Sequence, residues 1–382
     1  MHYRYCFAGV ELVTHSILAF APFVPFTFEQ GNHQKIQLCF SDASNVCALY
    51  RITLKQDIAN LYQTDTGWLY ESNNTALQIQ LAANRDYTVL TAYLPPVPPA
   101  LATQQEQAFL HLLRTALECR MALQSTVSLH CACVALDGQA VAFTAPSGTG
   151  KSTRALAWVE GLGAEWISGD RPALRVTDSG VTANGVPWDG KEQIFKQIER
   201  PLLAICEVRR TDSDFVRLRR LSAAQARALL MQQCFVPMWD PEAAAAVFAT
   251  IARLAQGRLV PICRVFCGQD ATAARAVRDI LYNHPEQIKE ALPDMKIKNG
   301  FTLRDVAGEY MVMPTGDEIE RFGGTLILNE TGAFFWEKLQ APTAREDVLD
   351  ALLAEYDIDP TTAARDLDAF LETLRTYGVL EE

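Results

Sequence analysis

The sequence has 382 residues, which favours two or three domains, and 49% of them are hydrophobic, as in soluble globular proteins. The formal net charge is −11, and an acidic surface repels phosphate backbones, which argues against nucleic acid as a partner. The N-terminus lacks the layout of a signal peptide, and the apolar run at 17–28 is too short and too Pro-rich to span a bilayer. We therefore expect a cytoplasmic protein without a membrane partner.

The ten cysteines do not form a metal-binding pattern. Cys131 and Cys133 are a C-x-C pair, but the chain has no C-x-x-C pair, and most of the cysteines stand singly in apolar stretches. This usage is typical of reduced, buried thiols in a cytosolic enzyme, and it predicts no zinc site.

The N-terminal region, residues 1–126, is predicted to be β-rich with a connecting helix. Turn residues separate four predicted strands at 35–40, 48–54, 76–81 and 87–93. After the stiff run Pro95–Pro99, apolar residues recur at helical spacing. They are Phe109, Leu112, Leu113, Ala116, Leu117 and Met121. This pattern predicts an amphipathic helix packed on a core.

Residues 127–285 alternate between strand and helix signals, as in an α/β domain. Helices are predicted at 153–161, 223–232, 241–256 and 271–282. The polar segment 286–308 is predicted to be a linker, and a small domain follows at 309–382.

The small domain is predicted to contain strands at 310–314, 318–322 and 325–329, followed by three helices. Asn329 is the expected N-cap of the first helix, Thr343 with Glu346 forms a capping box for the second, and Asp359 before Pro360 caps the third. The last helix is expected to stop at Gly378.

The strongest local signal is the stretch Ala145-Pro-Ser-Gly-Thr-Gly-Lys-Ser152, which lies between an apolar strand and a helix-forming run. Backbone N–H groups of a tight Gly-containing loop bind phosphate oxygens, and the helix that follows adds the positive end of its dipole. Lys151 can reach the β- and γ-phosphates, and the Ser152 hydroxyl can ligate Mg²⁺. The predicted nucleotide-binding residues are Pro146, Ser147, Gly148, Thr149, Gly150, Lys151, Ser152 and Thr153.

Two residues decide how well this stretch fits phosphoryl transfer. Ala145 stands where the usual pattern has glycine, which would cost of order 1 kcal/mol if that position required a positive φ. Asp170 is the last residue of the apolar strand-like stretch Trp166-Ile-Ser-Gly-Asp170. Because strand ends gather around the ligand in an open α/β sheet, Asp170 is the candidate magnesium ligand, general base, or both.

The stretch 129–174 resembles the kinase core of HPr kinase and its relatives, through Leu129-His130, the Ser147–Ser152 loop and Asp170. The resemblance implies an α/β P-loop core and transfer of a phosphoryl group from ATP, with Mg²⁺, to a protein serine. It also implies that His130 lies near the phosphates. In that family the corresponding strand ends in two aspartates. Here Gly169 occupies the first of these two positions and only Asp170 remains. Which group takes the proton of the acceptor, and whether the reverse reaction, phosphorolysis, is retained, therefore stay open.

The segment Gly185-Val-Pro-Trp-Asp-Gly190 is similar to HPr-kinase-related proteins of peptide biosynthesis clusters. The resemblance makes Asp189 a second candidate for the base, and Asp189 or Lys191 a candidate contact to magnesium or phosphate. A structural turn anchored by Trp188 is the alternative for this segment.

Residues 309–382 resemble PqqD, a small winged-helix-like domain that holds the leader peptides of ribosomally made, modified peptides. The resemblance rests on the stretch 324–336 and on the spacing of Asp366, Phe370, Leu371, Leu374 and Gly378. It implies that a leader adds a strand to the third strand and lies against the last helix, a form of β-augmentation. The implied peptide-binding residues are Thr325, Leu326, Ile327, Leu328, Asn329, Arg365, Asp366 and Ala369.

Together these features predict an α/β protein with an HPr kinase-like P-loop core, a β-rich N-terminal region and a C-terminal PqqD domain. The function that follows is an ATP- and Mg²⁺-dependent kinase acting on a hydroxyl, foremost serine, of a captured precursor peptide. A nucleotide-binding adaptor that delivers the leader to another enzyme of a biosynthesis cluster is the alternative, and a small-molecule acceptor is a third. A homo-oligomer is left open.

Overall fold

The computed structural model describes residues 3–14, 21–27, 34–41, 52–55, 59–146, 148–188, 190, 192–210, 216–290, 294–306 and 308–381. The chain divides into two compact units, of which the first ends at Ile288 and the second comprises Lys289–Glu382. The first unit therefore contains both the β-rich region and the predicted P-loop region, which the sequence analysis places in separate domains. No helix in the described part of the chain is long and apolar enough to cross a membrane.

An eight-stranded sheet forms the N-terminal part of the first unit, in the order β1-β2-β3-β8-β7-β6-β5-β4. Its strands are β1 (Tyr3–Phe7), β2 (Val10–Thr14), β3 (Gln34–Phe40), β4 (Ile52–Lys55), β5 (Ala59–Gln63), β6 (Gly67–Ser72), β7 (Gln80–Asn84) and β8 (Val89–Tyr93). A 3-10 helix at Ala21–Phe26 follows β2, and another at Pro99–Leu101 leads into α1 (Ala102–Ala122). All six apolar residues of the predicted helical stripe are buried in α1, which confirms that prediction.

One predicted strand of this region is misplaced. The sequence predicts a strand at 76–81, whereas β7 begins at Gln80. The side chain of Asn74 accepts a hydrogen bond from the Ala76 backbone N–H at 3.2 Å, and the Leu77 N–H donates to the Asn74 carbonyl at 3.0 Å. This turn takes up the residues that would have extended the strand. Residues 48–51 of a second predicted strand lie outside the described residues.

A second, mixed sheet forms the other half of the first unit, along the path β12-β10-β11-β15-β14-β13-β9, and β17 pairs with both β15 and β16. Its strands are β9 (Thr126–Ser128), β10 (Cys131–Leu136), β11 (Gln139–Thr144), β12 (Glu165–Ser168), β13 (Ala173–Val176), β14 (Val181–Asn184), β15 (Glu199–Arg210), β16 (Arg217–Arg220) and β17 (Ile262–Cys267). Four helices accompany it: α2 (Lys151–Leu162), α3 (Ala223–Gln233), α4 (Pro241–Ala255) and α5 (Ala271–Asn283), with a 3-10 helix at Pro285–Gln287.

The four helices confirm the predicted ones to within a residue or two at their ends. The largest difference is that α2 begins at Lys151 rather than at Thr153, because Gly150 in the left-handed conformation is its N-cap. The caps of α4 and α5 are aspartates, Asp240 and Asp270, whose side chains accept backbone N–H bonds of the first helical turn.

The second unit contains two small sheets, ordered β23-β19-β24 and β20-β21-β22. Its elements are β18 (Lys289–Glu290), β19 (Asp294–Ile297), β20 (Phe301–Val306), β21 (Glu309–Pro314), α6 (Glu318–Phe322), β22 (Leu326–Leu328), α7 (Glu330–Lys338), β23 (Thr343–Ala344), α8 (Arg345–Glu355), α9 (Pro360–Thr376) and β24 (Leu380–Glu381). The aromatic residues Phe335 and Trp336 lie in its core, together with apolar residues of α8 and α9.

Two predictions of secondary structure in this unit need correction. Residues 294–306 were expected in a linker but form β19 and β20, which pair with β23, β24 and β21. The predicted strand at 318–322 is helix α6, which ends at Gly323 with φ 62°. The alternation of Glu-Ile-Glu-Arg-Phe also suits a single helical turn, in which Arg321 pairs with Glu318 at 3.3 Å.

The capping predictions are confirmed at two of three helix starts. Asn329 accepts from the Gly332 N–H and Asp359 from the Thr362 N–H. The predicted capping box at Thr343 is wrong, since Ala344 is the N-cap of α8 without a side-chain bond. The Thr343 hydroxyl instead donates back to the carbonyls of Lys338 and Ala341. Gly378, with φ 66°, directly follows the C-cap of α9, as predicted.

Candidate functional site

The candidate site lies at one edge of the second sheet, where four strands end. β11, β15 and β17 are mutually parallel, and β12 runs in the same direction because both β12 and β11 are antiparallel to β10. The carboxyl ends of all four strands therefore lie at one edge, together with His130, which precedes β10. In open α/β sheets this edge is where ligands bind.

The loop between β11 and α2 has the backbone conformation that close phosphate contact requires. Gly148 and Gly150 have φ angles of 81° and 92°, in the left-handed region that favours glycine. If Gly150 carried a Cβ, that atom would lie 3.0 Å from an Nη atom of Arg154, so a larger residue would also have to displace this guanidinium. Ala145 is buried and is not among the residues with positive φ, so alanine causes no backbone strain at that position. Ser147 lies outside the described residues.

Lys151 is the first residue of α2, and its side chain is only 9% exposed. Its ammonium group donates to the carbonyls of Ala145 at 2.9 Å and Pro146 at 3.3 Å. Burial lowers the pKa of Lys151 from its ordinary value, and the negative charge of Asp170 acts in the opposite direction. The Ser152 side chain is half-buried and that of Thr153 is exposed.

Arg154 and Gln269 are two site residues that the sequence analysis missed. The buried guanidinium of Arg154 donates to the carbonyls of Thr149 at 3.2 Å and of Cys267 at 2.9 Å, which ties the loop to the end of β17. A Cβ on Gly150 would lie 3.2 Å from Nε2 of Gln269. An arginine in the second turn of the helix carries a weak sequence signal, and Gln269 is brought close only by the sheet.

Asp170 and His130 face each other across the end of β12. Their nearest atoms, Nε2 of His130 and Oδ1 of Asp170, are 3.8 Å apart, which is beyond hydrogen-bond distance. Burial lowers the pKa of His130, and the positive charge of Lys151 lowers it further, against the opposing charge of Asp170. The imidazole is therefore mainly neutral near pH 7, while Lys151, His130 and Asp170 lie in one electrostatic cluster.

The segment 185–198 forms a closed loop beside Asp170. Gly185 donates its N–H to the Ile198 carbonyl at 2.9 Å, and a Cβ on Gly185 would lie 2.0 Å from the Lys196 carbonyl oxygen. Trp188 packs edge-on against Phe7 at 5.7 Å between ring centroids, so it anchors the loop. The predicted candidates Asp189 and Lys191 lie outside the described residues.

The residues at this edge are suited to Mg·ATP. Mg²⁺ keeps several water ligands and binds through one or two carboxylates together with substrate phosphates, so it needs no protein cage. Within the described residues there is no cluster of three His, Cys, Asp or Glu side chains that would form such a cage. Asp170, the Ser152 hydroxyl and the N-terminal end of α2 are the groups available to a magnesium–phosphate pair.

A separate cavity of about 260 Å³ lies beside Pro187, Trp188 and Phe195 of the 185–198 segment. Aromatic and apolar side chains line it together with a few polar ones: Pro22, Phe23, Gln107, Leu110, His111, Arg114, Pro187, Trp188 and Phe195. The guanidinium of Arg114 lies over the Trp188 ring at 5.7 Å. Burial lowers the pKa of His111, with a further contribution from the charge of Arg114.

In the second unit, β22 is an edge strand of its sheet, which agrees with the predicted open edge. Ile327 is 65% exposed, and Thr325 and Asn329 are also exposed, whereas Leu326 and Leu328 pack against the core. The Asn329 side chain is already committed to capping α7. On α9, Arg365 and Ala369 are exposed and Asp366 is half-buried.

The end of β22 and helix α9 approach the same residue of α7. A Cβ on Gly332 would lie 3.3 Å from Leu328 Cβ and 3.5 Å from Cε2 of Phe370. The edge strand and the side of α9 that carries Phe370 therefore both reach the start of α7. An extended peptide could hydrogen-bond to β22 and contact α9 from that position.

This unit is thus a small domain in which a three-stranded sheet with an accessible edge strand packs on three helices. Residues 309–380 match the family described as coenzyme PQQ synthesis protein D (PqqD), so the chain carries a PqqD-like domain at its C-terminal end. A solved structure titled "TbiB1 in Complex with the TbiA(beta) Leader Peptide" is 28% identical, with a TM-score of 0.20, and the match covers 22% of this chain and 94% of that one. No curated protein matched the chain.

Proposed function

We propose that this protein is an ATP-dependent kinase that transfers the γ-phosphoryl group to a hydroxyl, foremost a serine hydroxyl, of a precursor peptide held by its PqqD-like domain. The observation that carries the kinase proposal is the loop between β11 and α2. Its left-handed glycines, the buried Lys151 at the helix start and Asp170 at the neighbouring strand end are the parts that phosphoryl transfer uses. The resemblance to HPr kinase points to the same chemistry.

Few groups are needed for the proposed phosphoryl transfer. When bound, Mg·ATP supplies the phosphoryl group, and the cation neutralises charge on the phosphate oxygens. The backbone N–H groups of residues 148–152 and the ammonium of Lys151 hold the phosphates and stabilise the charge that develops in transfer. The bond from the γ-phosphorus to the bridging oxygen of ADP breaks as the bond to the peptide oxygen forms. The hydroxyl proton passes to a carboxylate, for which the sequence leaves Asp170 and Asp189 as candidates.

Leader capture is the second part of the proposal. The match of residues 309–380 to PqqD and the accessible edge strand β22 support it. Backbone hydrogen bonds to the edge strand supply affinity, and side-chain contacts supply selectivity. Holding the leader on the same chain as the kinase raises the local acceptor concentration to about millimolar.

The test is to incubate the protein with Mg·ATP and the small precursor peptide encoded next to its gene, and to record the peptide mass. We expect an increase by one phosphate group on a hydroxyl residue. Lys151→Ala should abolish transfer and weaken ATP binding, yet leave leader binding unchanged. The exposed Lys338→Ala, on α7, is the matched control and should transfer normally.

An unchanged peptide mass, despite demonstrated binding of leader and ATP, would contradict the kinase and favour the adaptor that delivers a leader to a partner enzyme. Phosphorylation of a small molecule, without leader binding, would instead favour the third alternative.

A further inference from the structure

A glutamate that no sequence pattern singles out lies against the end of β12. A Cβ on Gly169 would lie 2.8 Å from Oε2 of Glu192, 2.9 Å from its Cβ and 3.1 Å from its Cδ. Real Cβ atoms essentially never approach so closely, so Glu192 fills the space that a side chain at position 169 would take. The carboxylate of Glu192 therefore lies against Gly169, the residue that directly precedes Asp170.

Both carboxylates lie close to Gly190. A Cβ on Gly190 would lie 3.6 Å from Oδ2 of Asp170 and 3.5 Å from Oε2 of Glu192. The two oxygens can therefore be no more than about twice this distance apart, which is a spacing at which a hydroxyl-bearing side chain contacts one while a cation contacts the other.

Contacts of Gly185 and Trp188 restrain the segment that carries Glu192. The contact of Gly185 with Lys196 closes its base, and a Cβ on Gly185 would also lie 3.3 Å from the carbonyl oxygen of Ile167 in β12. Trp188 anchors its first half between Phe7 and the guanidinium of Arg114. Glu192 itself is exposed, and its side chain contacts the strand end at Gly169.

Both carboxylate residues are followed by a residue in an uncommon backbone conformation. Arg171 has φ 55° and Gln193 has φ 51°, and neither is glycine. Left-handed residues of this kind cost of order 1 kcal/mol or more, and they cluster where side chains are held for function. Each of the two carboxylate residues is therefore followed by a residue in a costly backbone conformation.

We infer that Glu192 is the catalytic carboxylate that takes the proton of the acceptor hydroxyl, and that Asp170 serves the cation. Asp170 is the carboxylate that interacts with Lys151 and His130, on the side of the phosphate loop. Glu192 borders the same strand end at Gly169 and is exposed to solvent, from which a peptide hydroxyl arrives. This inference rests on the proposed kinase function, and it assigns the base that the sequence leaves between Asp170 and Asp189.

The step balances without a further reactant. The acceptor hydroxyl loses its proton to the Glu192 carboxylate, its oxygen forms the new bond to the γ-phosphorus, and the bridging oxygen leaves on ADP. The carboxylic acid then returns its proton to water.

The first experiment compares wild type, Glu192→Gln and the control Glu160→Gln, which alters an exposed glutamate of α2. Each protein is given Mg·ATP and the precursor peptide, and ATP affinity, leader affinity and the rate of phosphate transfer are measured. Loss of a general base typically costs about 10²-fold or more in rate. We expect Glu192→Gln to lose transfer by that factor with both affinities unchanged, and Glu160→Gln to behave as wild type.

A double-mutant cycle with Gly169→Ala tests the geometry. Gly169 has no left-handed φ, so Glu192 is what an added Cβ would displace. Gly169→Ala alone should slow transfer, whereas in the Glu192→Gln background it should add little. Additive effects of the two changes would show that they do not act through one contact, and would overturn the inference.

The outcomes separate the two proposals. Transfer by wild type together with near-normal transfer by Glu192→Gln would overturn the role of Glu192 and leave the kinase intact. Absence of transfer by wild type, with ATP and leader bound, would overturn the kinase and this inference with it. A loss of ATP affinity in Glu192→Gln equal to the loss of transfer would make Glu192 a cation ligand and would also overturn the assignment.

Discussion

Ala145 shows how one residue can depart from a motif without changing its chemistry. The usual pattern has glycine at the start of the phosphate loop, but here the backbone keeps an ordinary φ at that position and the methyl group is buried. The strict requirement for glycine lies at Gly148 and Gly150, whose φ angles are positive. The sequence alone could not decide this, because a substitution reveals neither φ nor the space around Cβ.

At the same scale, His130 should make stability depend on pH. Its pKa is lowered in the folded protein, so the unfolded chain binds the proton more readily. The stabilising contribution is present above the ordinary histidine pKa of about 6.5 and is lost as the pH falls through the folded-state pKa. We expect the melting temperature to fall between pH 8 and pH 5, and less steeply in His130→Gln.

Nuclear magnetic resonance gives a direct check on this prediction. The imidazole signal that disappears in His130→Gln should titrate below pH 6.5, since burial and the charge of Lys151 both oppose protonation. A titration above that value, or equal pH slopes for the two proteins, would contradict the prediction. It would mean that the charge of Asp170 outweighs burial.

At the scale of elements, the two edges of the terminal sheet offer a matched comparison. Ile327 on β22 is 65% exposed and Val306 on β20, the opposite edge, is 47% exposed. If the leader adds to β22, Ile327→Arg should weaken leader binding by about tenfold or more, because side-chain contacts along the edge supply selectivity. Val306→Arg should have no such effect. Calorimetric titration with leader peptide measures both.

Both substitutions are on exposed side chains, so unfolding temperatures should change little. The reverse result, with Val306→Arg the harmful change, would move the binding edge to β20. Equal and small effects would show that the leader does not use this sheet.

Sequence patterns predicted the helices and caps that have strong local signals. They failed where the secondary structure depends on pairing with residues distant in the chain. Helices α2 to α5 and the caps Asn329 and Asp359 follow from periodicity and cap chemistry. The short alternation of α6 suits both a strand and one helical turn, and its flanking glycines favour the helix. Strands β19 and β20 were missed because their alternation of apolar and polar residues is short and lies in a largely polar segment. Their pairing partners include the last residues of the described chain.

The same distinction holds in the candidate site. Lys151 and Asp170 follow directly from a motif and a strand end. Arg154, Gln269 and Glu192 carry no motif, and only the packing of the loop, β17 and the 185–198 segment brings them to the edge. Spacing along the chain cannot predict that Glu192 fills the place beside Gly169.

At the scale of the whole molecule, the boundary of the family match is not the boundary of the folded unit. The match begins at residue 309, yet Met295 and Ile297 of β19 are both 3% exposed in the core of the second unit. The Ile297 and Lys298 N–H groups also donate to the carbonyls of Leu339 and Val379, each at 2.9 Å.

We therefore expect a fragment of residues 289–382 to unfold cooperatively, and a fragment of residues 309–382 to lose cooperative unfolding. The shorter fragment lacks the buried apolar side chains of Met295 and Ile297, each contributing about 1.5–3 kcal/mol, and lacks β20, one of the two strands that pair with β21. A small domain has only about 5–15 kcal/mol of stability to lose. Circular dichroism with urea titration distinguishes the two cases, and equal cooperativity would contradict the expectation.

The guanidinium of Arg154 has a consequence for local motion. It donates both to the Thr149 carbonyl of the phosphate loop and to the carbonyl of Cys267, which lies 113 residues beyond Arg154 along the chain. Neither segment can swing away without breaking bonds that also restrain the other. Local opening of the loop and fraying of the end of β17 are therefore coupled in one opening event with one free energy. A ligand that reduces the opening of the loop also reduces the fraying of β17.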